Sequence, residues 1–453
     1  MPLLRIIPVS GLHVHQNNRL DIVTTRIFDQ IIFEQSFAYQ TVRDRLPVTI
    51  TKVIDNLVRD KDQIVQDLGE FTKEEMKEVI GSFSKLKNEV QTNKPFEVLT
   101  SDGPDVSSWN TYYERERERE GEKPRWFHTS WLYAECYMYR RIHEVFELST
   151  SMKTFDPFNK QKKDAFLNSL DLIVFLGNHV MQLLRMKNLS QLEMKEELLR
   201  LVKVTLWGNQ HDLSHPTGYK LPEEANPLEH IDRLNEYILI DDSHHIWSTL
   251  TASGKANAVI DIVNDNAGYE IFTDLCLADV LCTFSLTDKV RFHVKALPWF
   301  ISDTTKHDFF WVLQKLADLS CKSSSLPALA TRWEEHLQSG RWVVEAEDFW
   351  TLPHAYNEMK ATDNNLYTKL SEATLVIFKG DLNYRKLVGE TNWLPTESFT
   401  NALQGFHPAP LVTLRTLKAD LICGLQPGQA EMTAAKSHNW LTSGDYAVIQ
   451  FDG

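Results

Sequence analysis

The segment Ala258-Val-Ile-Asp-Ile-Val-Asn-Asp-Asn-Ala-Gly-Tyr-Glu270 has the form of a buried strand that stops at a polar turn and reopens as a helix. An apolar run of this kind belongs in a core, and Gly268 punctuates its exit. In open α/β sheets ligands bind outside the carboxyl ends of the strands, which is where Asp265 and Asn266 would emerge. A carboxylate beside an amide carbonyl offers a hard divalent cation two oxygen ligands. The helix expected near Ile271–Phe284 would present free backbone N–H groups to a phosphate. An Asp-Asn turn held by local hydrogen bonds accounts for the same residues, and spacing alone does not choose between the two.

Outward from this segment the rhythm repeats. Val290–Val294, Thr374–Phe378, Leu411–Leu414 and Tyr446–Phe451 read as short strands, each bounded by a turn and a helical pattern. Strands alternating with helices predict a mostly parallel sheet in a three-layer α/β/α sandwich, spanning residues 229–453. Residues 36–228 read as a helical domain. Ile50, Val53, Ile54, Leu57 and Val58 recur at helical spacing after Pro47, and further helices are expected near Lys73–Thr92, Ser130–Glu147, Asp164–Met186 and Leu192–Trp207. Leu99–Pro124 is expected to be a linker or solvated helix, its alternating run Glu114 to Glu120 carrying no function. Residues 1–35 are expected to be a disordered or loosely attached extension.

Three other strand ends repeat the polar finish of the first. Asp303 closes His293-Val-Lys-Ala-Leu-Pro-Trp-Phe-Ile-Ser-Asp303 just before a helix, where plain N-capping is the simpler account of an acid taken by itself. Thr374-Leu-Val-Ile-Phe-Lys-Gly-Asp-Leu-Asn-Tyr-Arg-Lys-Leu387 empties a buried strand into Lys379, Gly380, Asp381, Asn383 and Arg385. Gly380 permits an unusual turn or the close approach of a ligand, and so dense a polar cluster reads as a holder for a phosphorylated molecule rather than as a surface turn. Leu411-Val-Thr-Leu-Arg-Thr-Leu-Lys-Ala-Asp420 ends in Arg415, Thr416 and Lys418. Arginine suits bidentate phosphate contact and lysine suits point-charge neutralisation.

Composition excludes several function classes. Lys plus Arg number 48 against 62 Asp plus Glu, a net charge of -14. A chain this acidic lacks the basic footprint of nucleic-acid or anionic-membrane binding, and its self-repulsion suits a dispersed cytoplasmic (or nuclear) protein. Cys136, Cys276, Cys282, Cys321 and Cys423 are scattered and odd in number, and no CxxC pair occurs. Neither a disulfide scaffold nor a thiolate zinc site is expected. The most apolar helix, near Phe166–Met186, is interrupted by Asn168, Asp171, Asn178, His179 and Gln182 and is not expected to span a membrane. No G-x-G-x-x-G follows a strand, Ser253-Gly-Lys-Ala lacks the rest of a phosphate loop, and no G-x-S-x-G elbow is present. Asp241-Asp-Ser-His-His245 holds ligand-type side chains, but adjacent helical residues diverge in direction.

The strings Asp265-Asn-Ala-Gly-Tyr-Glu270, Trp299-Phe-Ile-Ser-Asp303, Phe378-Lys-Gly-Asp-Leu-Asn-Tyr-Arg385 and Arg415-Thr-Leu-Lys418 resemble the damage-control phosphatase family, and within it a subgroup with an R-T-x-K signature. Trp131-Leu-Tyr-Ala-Glu-Cys-Tyr-Met-Tyr-Arg-Arg141 and Leu206-Trp-Gly-Asn-Gln-His-Asp-Leu-Ser214 carry the resemblance into the helical half, so it covers about Ser36 to Phe451. The resemblance implies a divalent metal (manganese, nickel, cobalt or magnesium) held by Asp265, Asn266 and Asp303, which would also touch the substrate. It implies a substrate phosphate and sugar held by Asp381, Leu382, Asn383, Tyr384, Arg385 and Lys418, with Arg415 of the signature beside them. Asp265, Asp303 and Lys418 would then be catalytic. Glu135, Asn209, Asp212 and Glu270 are candidates to line the cleft, and Arg140 to tie helices together. The reaction so implied is hydrolysis of small phosphate esters, fructose 1-phosphate and fructose 6-phosphate above all, to clear sugar phosphates that would glycate proteins.

Two other readings stand beside it. An S-adenosylmethionine-dependent methyltransferase acting on protein glutamates is a second activity associated with the family, but no glycine-rich loop follows a first strand. A non-catalytic binder of sugar phosphates, or of a protein partner, would use the same cleft without releasing phosphate.

Overall fold

The computed structural model of the protein describes residues 36–208, 227–252 and 257–453. Seven strands form one sheet: β1 Ile238–Asp241, β2 Val259–Val263, β3 Lys289–His293, β4 Trp342–Glu345, β5 Leu375–Lys379, β6 Leu411–Thr416 and β7 Ala447–Asp452. Their order across the sheet is β1-β7-β6-β5-β2-β3-β4. All neighbours pair in parallel except β6 with β7.

β2 sits between β5 and β3, and Ile260, Ile262 and Val263 are fully buried because helices cover both faces of the sheet. Asp261 interrupts that apolar run and is neutralised in register by Arg291 of β3, at 2.6 and 2.8 Å. His293 closes the cluster between Asp261 at 3.1 Å and Glu347 at 3.0 Å. Burial alone would lower the imidazole; the two carboxylates outweigh it and raise His293 to about 9.

The chain winds from β2 outward to β3 and β4, then crosses back to β5 on the other side of β2. The winding therefore reverses between β2 and β5. In open α/β sheets that crevice, at the carboxyl ends of the strands, is where ligands bind.

The helices fall into two layers with separate cores. On one face, Leu176, Leu201, Phe272, Leu313 and Trp333 pack with Ile260, Phe292 and Ile377. They belong to the helices Leu170–Arg185, Gln191–Gly208, Tyr269–Thr283, Lys306–Ala317 and Ser325–Gln338. On the other face, Ile50, Phe83, Trp109 and Tyr137 share a core with Val263, Val376, Phe378 and Val448. These come from the helices Leu46–Arg59, Thr72–Gln91, Val106–Glu120 and Trp131–Glu147. The helices expected as one N-terminal unit are thus divided: those up to Glu147 cover one face of the sheet, and those from Leu170 to Gly208 cover the other.

Several local expectations change. β1 and β4 lie at the two sheet edges and are four residues each, too short and half-exposed to show a strand pattern. The helix expected over Asp164–Met186 is two helices, Asn159–Asn168 and Leu170–Arg185, bent by 64°. No single described helix is long and apolar enough to cross a membrane. The Glu-Arg run is not wholly solvated. It ends the helix Val106–Glu120, where Trp109, Tyr112, Tyr113 and Glu116 are buried, and Glu116 pairs with Arg119 at 2.6 Å. All five cysteines are free thiols. Asp241 is spent on Lys203 and on the Ser243 backbone N–H, while His245 stacks on Phe451. The expected extension at residues 1–35, and Asn209, Asp212 and Ser253, lie outside the described residues.

Candidate active site

Two loops are stitched together at the end of β2. Ala267 N–H donates to Ser302 O and Thr304 N–H to Asp265 O, each at 2.7 Å, and Asn266 and Asp303 face each other across this short bridge. Asp303, distant in sequence from the adjacent pair Asp265 and Asn266, thereby joins them in lining one cavity of about 270 Å³. Asp303 does not cap the helix that follows. Thr305 does, in a capping box with Asp308, so the simpler account of Asp303 falls away. Lys295 places its ammonium 3.4 Å from Asp303 Oδ2 and 3.0 Å from Asn264 O, bracing the base of the bridge.

Gly380 explains how the ends of β2 and β5 can meet. It opens the helix Gly380–Leu387 at φ +85°, and a Cβ there would lie 1.9 Å from Asp265 Oδ2. Only glycine allows both the backbone angle and the approach. Asp381 follows and also lines the cavity. It accepts from Arg415 Nε at 2.7 Å and from the Lys418 backbone N–H at 3.1 Å. That anchors the turn after β6 and brings Lys418 to the cavity wall.

Asn266 has a defined orientation. Its amide nitrogen donates to Asp265 Oδ2 and to Glu270 Oε2, both at 2.8 Å, which leaves the carbonyl oxygen as the end that can meet a cation. Glu270 is itself held by Lys379, whose ammonium also reaches Asp274 at 2.8 Å and Thr205 at 3.0 Å. All are buried. Burial would lower the Lys379 pKa, but Asp274 and Glu270 outweigh it and raise it. Asp274 is raised by burial and by Glu270, against the opposing pull of Lys379.

Several residues expected at the substrate turn out to support the site from behind. Lys379 points into the buried network just described. Asn383 holds the Lys379 carbonyl at 2.7 Å and receives the Tyr356 hydroxyl at 2.5 Å. Tyr384 is fully buried, with the Arg415 guanidinium 4.1 Å from its ring centroid. Arg415, read as a phosphate contact, spends its donors on Asp381, Leu421 O and Ala419 O. Glu270 and its helix do not line the cavity either, and Gly268 packs closely on Ala165. The expected phosphate cradle at that helix N-terminus is therefore not part of the cavity wall. Arg140 ties helices, pairing with Asp105 and Glu147.

The helical layer supplies the roof. Trp131, Glu135 and Tyr139, one turn apart on the helix Trp131–Glu147, line the cavity, as do Arg45, Thr49, Lys52, Phe300 and Ile301. Arg385 lies 3.7 Å from the Trp131 ring centroid, donates to Glu135 at 2.7 Å, and forks onto Glu390. Glu390 also accepts the Leu132 N–H at the start of that helix. It therefore locks roof to floor, a role invisible in sequence because Glu390 carries no motif. Phe300 and Ile301 both have positive φ, +43° and +70°. That is costly for non-glycine residues, and it falls in the loop that delivers Asp303.

The donor set can be tested against a metal. No group of three or more His, Cys, Asp or Glu side chains with metal-site spacing occurs among the described residues. Two carboxylates and an amide carbonyl suit a hard ion that keeps some of its ligands as water or phosphate oxygens. Asp265, Asn266 and Asp303 fit such an ion and do not fit a zinc site built from nitrogen or sulfur.

A family model described as the damage-control phosphatase ARMT1-like domain matches residues 41–433. The chain is 43% identical over 428 residues to the damage-control phosphatase ARMT1 of Danio rerio, covering 92% of this chain and 95% of that protein. It is 44% identical over 431 residues to the Mus musculus protein of the same name, covering 93% and 97%. With the Homo sapiens protein it shares 43% over 427 residues, covering 92% and 96%.

Proposed function

This chain belongs to the damage-control phosphatase ARMT1-like family and is a phosphatase of damage control, and we propose that it hydrolyses phosphate monoesters of small sugars with a bound divalent metal. Fructose 1-phosphate and fructose 6-phosphate are the expected substrates. The observation that carries the reading is the backbone bridge bringing Asp265, Asn266 and Asp303 into one cavity with Lys418, at the point where the sheet reverses its winding.

Asp265, Asn266 and Asp303 would hold the metal, which when bound would supply positive charge to the phosphoryl oxygens and acidify a water. Lys418 neutralises the phosphate from the β6 side, and Asp381 fixes the turn that aims it. Pre-placed charge of this kind is the main contribution in phosphoryl transfer. Arg385 holds the roof helix over the site, so that Trp131 and Tyr139 exclude water from the reacting group. The nucleophile is either a water or the carboxylate of Asp265 or Asp303. Oxygen-18 entering phosphate directly from solvent in a single turnover selects the water.

The absence of a glycine-rich turn directly after β2, where the chain reads Asn264-Asp265-Asn266, gives the S-adenosylmethionine reading no added support. The test is phosphate release from a panel of sugar phosphates with manganese, cobalt, nickel or magnesium, and with chelator as control. Metal-dependent release that is abolished by Asp265→Ala, in a protein that still folds, supports the proposal. Release that persists in chelator, or in the Asp265→Ala protein, overturns it.

A further inference from the structure

We propose that Tyr139 is a positioning residue for the metal site: its ring, stacked on Phe300, holds the strained loop that presents Asp303, and so couples the roof helix to a metal ligand. This rests on the reading of Asp303 as a ligand given above.

The loop from Trp299 to Asp303 adopts a turn that its own residues resist. Phe300 and Ile301 stand one after the other at φ +43° and +70°. In that region the Cβ crowds the following carbonyl, and a β-branched residue is seldom found there. No glycine relieves the turn, since the chain reads Trp299-Phe-Ile-Ser-Asp303. Two local hydrogen bonds close it, from Asp303 N–H to Trp299 O at 3.1 Å and from Ser302 N–H to Phe300 O at 2.8 Å. Its far end is stitched to the loop after β2 through Ser302 and Thr304. The strained pair Phe300 and Ile301 is left to be held from the roof.

That hold is aromatic. Tyr139 stacks on Phe300 with ring centroids 4.6 Å apart and planes 23° apart. Trp299 packs on both rings, at 5.9 Å from each, and Phe158 meets Tyr139 edge-on at 6.2 Å. Trp299 is fully buried and Tyr139 nearly so. Phe300 is only partly buried and borders the cavity, so without the stack its ring has open space to turn into. Strained backbone persists only where its surroundings over-determine it, and an aromatic pair in this geometry stabilises beyond its buried area. Tyr139 lies one turn beyond Glu135 on the roof helix, and Arg385 ties Glu135 to the floor. Contacts therefore run without a break from Arg385 through the roof helix to the loop carrying Asp303. Burial pushes the Tyr139 phenol well above its usual range, so it stays neutral, and its ring rather than a charge does the holding.

Hydrogen exchange at the Asp303 and Thr304 amides of the full chain, with and without manganese, reports on the loop directly. Tyr139→Leu keeps an apolar side chain but no ring. It should speed that exchange about fivefold, the weight of one aromatic pair, and weaken calorimetric manganese binding about tenfold, as for other partners that orient a ligand. Tyr139→Phe keeps the ring and should match wild type in both. Phe300→Leu breaks the same contact from the loop side and should match Tyr139→Leu, and the double variant should lose no more than either single one. Unchanged exchange or unchanged manganese affinity in Tyr139→Leu overturns the proposal, as do losses that multiply in the double variant. A Tyr139→Phe protein as impaired as Tyr139→Leu overturns it too, because the hydroxyl would then be the active part. Should Tyr139→Leu fail to fold, Phe300→Leu, at a partly exposed position, carries the same comparison. Wild-type manganese binding checks the metal reading separately. If the wild type binds none, that reading fails, and the exchange rates alone decide whether Tyr139 holds the loop.

Discussion

Gly380→Ala is the substitution with the most sharply defined consequence. A methyl group at this position would lie 1.9 Å from Asp265 Oδ2, 2.2 Å from its Cγ and 2.8 Å from its Cβ. The neighbour is the root of a side chain rather than a flexible tip, so the Asp265 carboxylate must retreat, by about 1 Å, a displacement that costs on the order of 10²-fold in rate at a catalytic centre. The backbone adds a penalty of about 1–2 kcal/mol for a side chain at positive φ. These two effects can be separated. Gly405 has φ +86°, against +85° at Gly380, and a methyl group added there would meet nothing within 4 Å. Gly405→Ala therefore suffers the backbone penalty without the collision. Urea unfolding should show both variants destabilised, Gly380→Ala at least as much as Gly405→Ala. Phosphate release and calorimetric manganese binding should be impaired only in Gly380→Ala. If Gly380→Ala keeps activity and metal affinity within about threefold of wild type, a change well short of that rate cost, the placement of Asp265 at the centre of the chemistry is wrong.

Other expected outcomes follow from the buried charges. Lys379→Met leaves Glu270 and Asp274 buried without their cation and should destabilise the protein by about 3–5 kcal/mol; adding Glu270→Gln and Asp274→Asn should recover part of this, and a loss under about 1 kcal/mol, far below the cost of breaking a buried pair, would reject the network. Glu270→Gln keeps only one oxygen for its two donors, so Asn266 loses its fixed orientation. Manganese affinity measured by titration should drop about tenfold, as for other partners that orient a ligand, and an unaltered affinity would sink the argument. His293 is raised to about 9 from 6.5, so its protonated form favours the fold. That stabilisation is complete below about pH 6.5 and is lost as pH rises through 9. Lys386 is pushed down to about 8 by burial and gains stability in the opposite direction above that pH. The clean window is pH 6.5 to 8, where unfolding free energy should fall by on the order of 1.5 kcal/mol; a flat profile there would contradict the buried His293 cluster.

Strand and helix periods made the sandwich legible in the sequence. Ala258–Val263, Thr374–Phe378 and Leu411–Leu414 are apolar because they lie inside a sheet covered on both faces, and burial of that kind leaves a continuous pattern. The polar residues clustered at their ends marked the ligand side for the same reason: a buried strand can release such groups only where it leaves the core. Segments at the sheet edges, β1 and β4, gave no such signal.

What the chain determined by itself was five of the seven strands, β2, β3, β5, β6 and β7, their polar ends, and glycine at the positions where a side chain would not fit. The tertiary structure alone decided which polar groups look into the cavity and which brace it. Lys379, Asn383, Tyr384 and Arg415 carry the same chemistry as Asp381, Arg385 and Lys418, and sit within a few residues of them. Whether each faces substrate or core depends on its direction relative to a neighbouring strand, and local sequence does not encode that. The roof is the clearer case. Arg45, Trp131, Glu135 and Tyr139 reach the site only because one helical layer folds over the carboxyl ends of β2 and β5. Glu390 joins the two halves through charges whose partners lie up to 258 residues away.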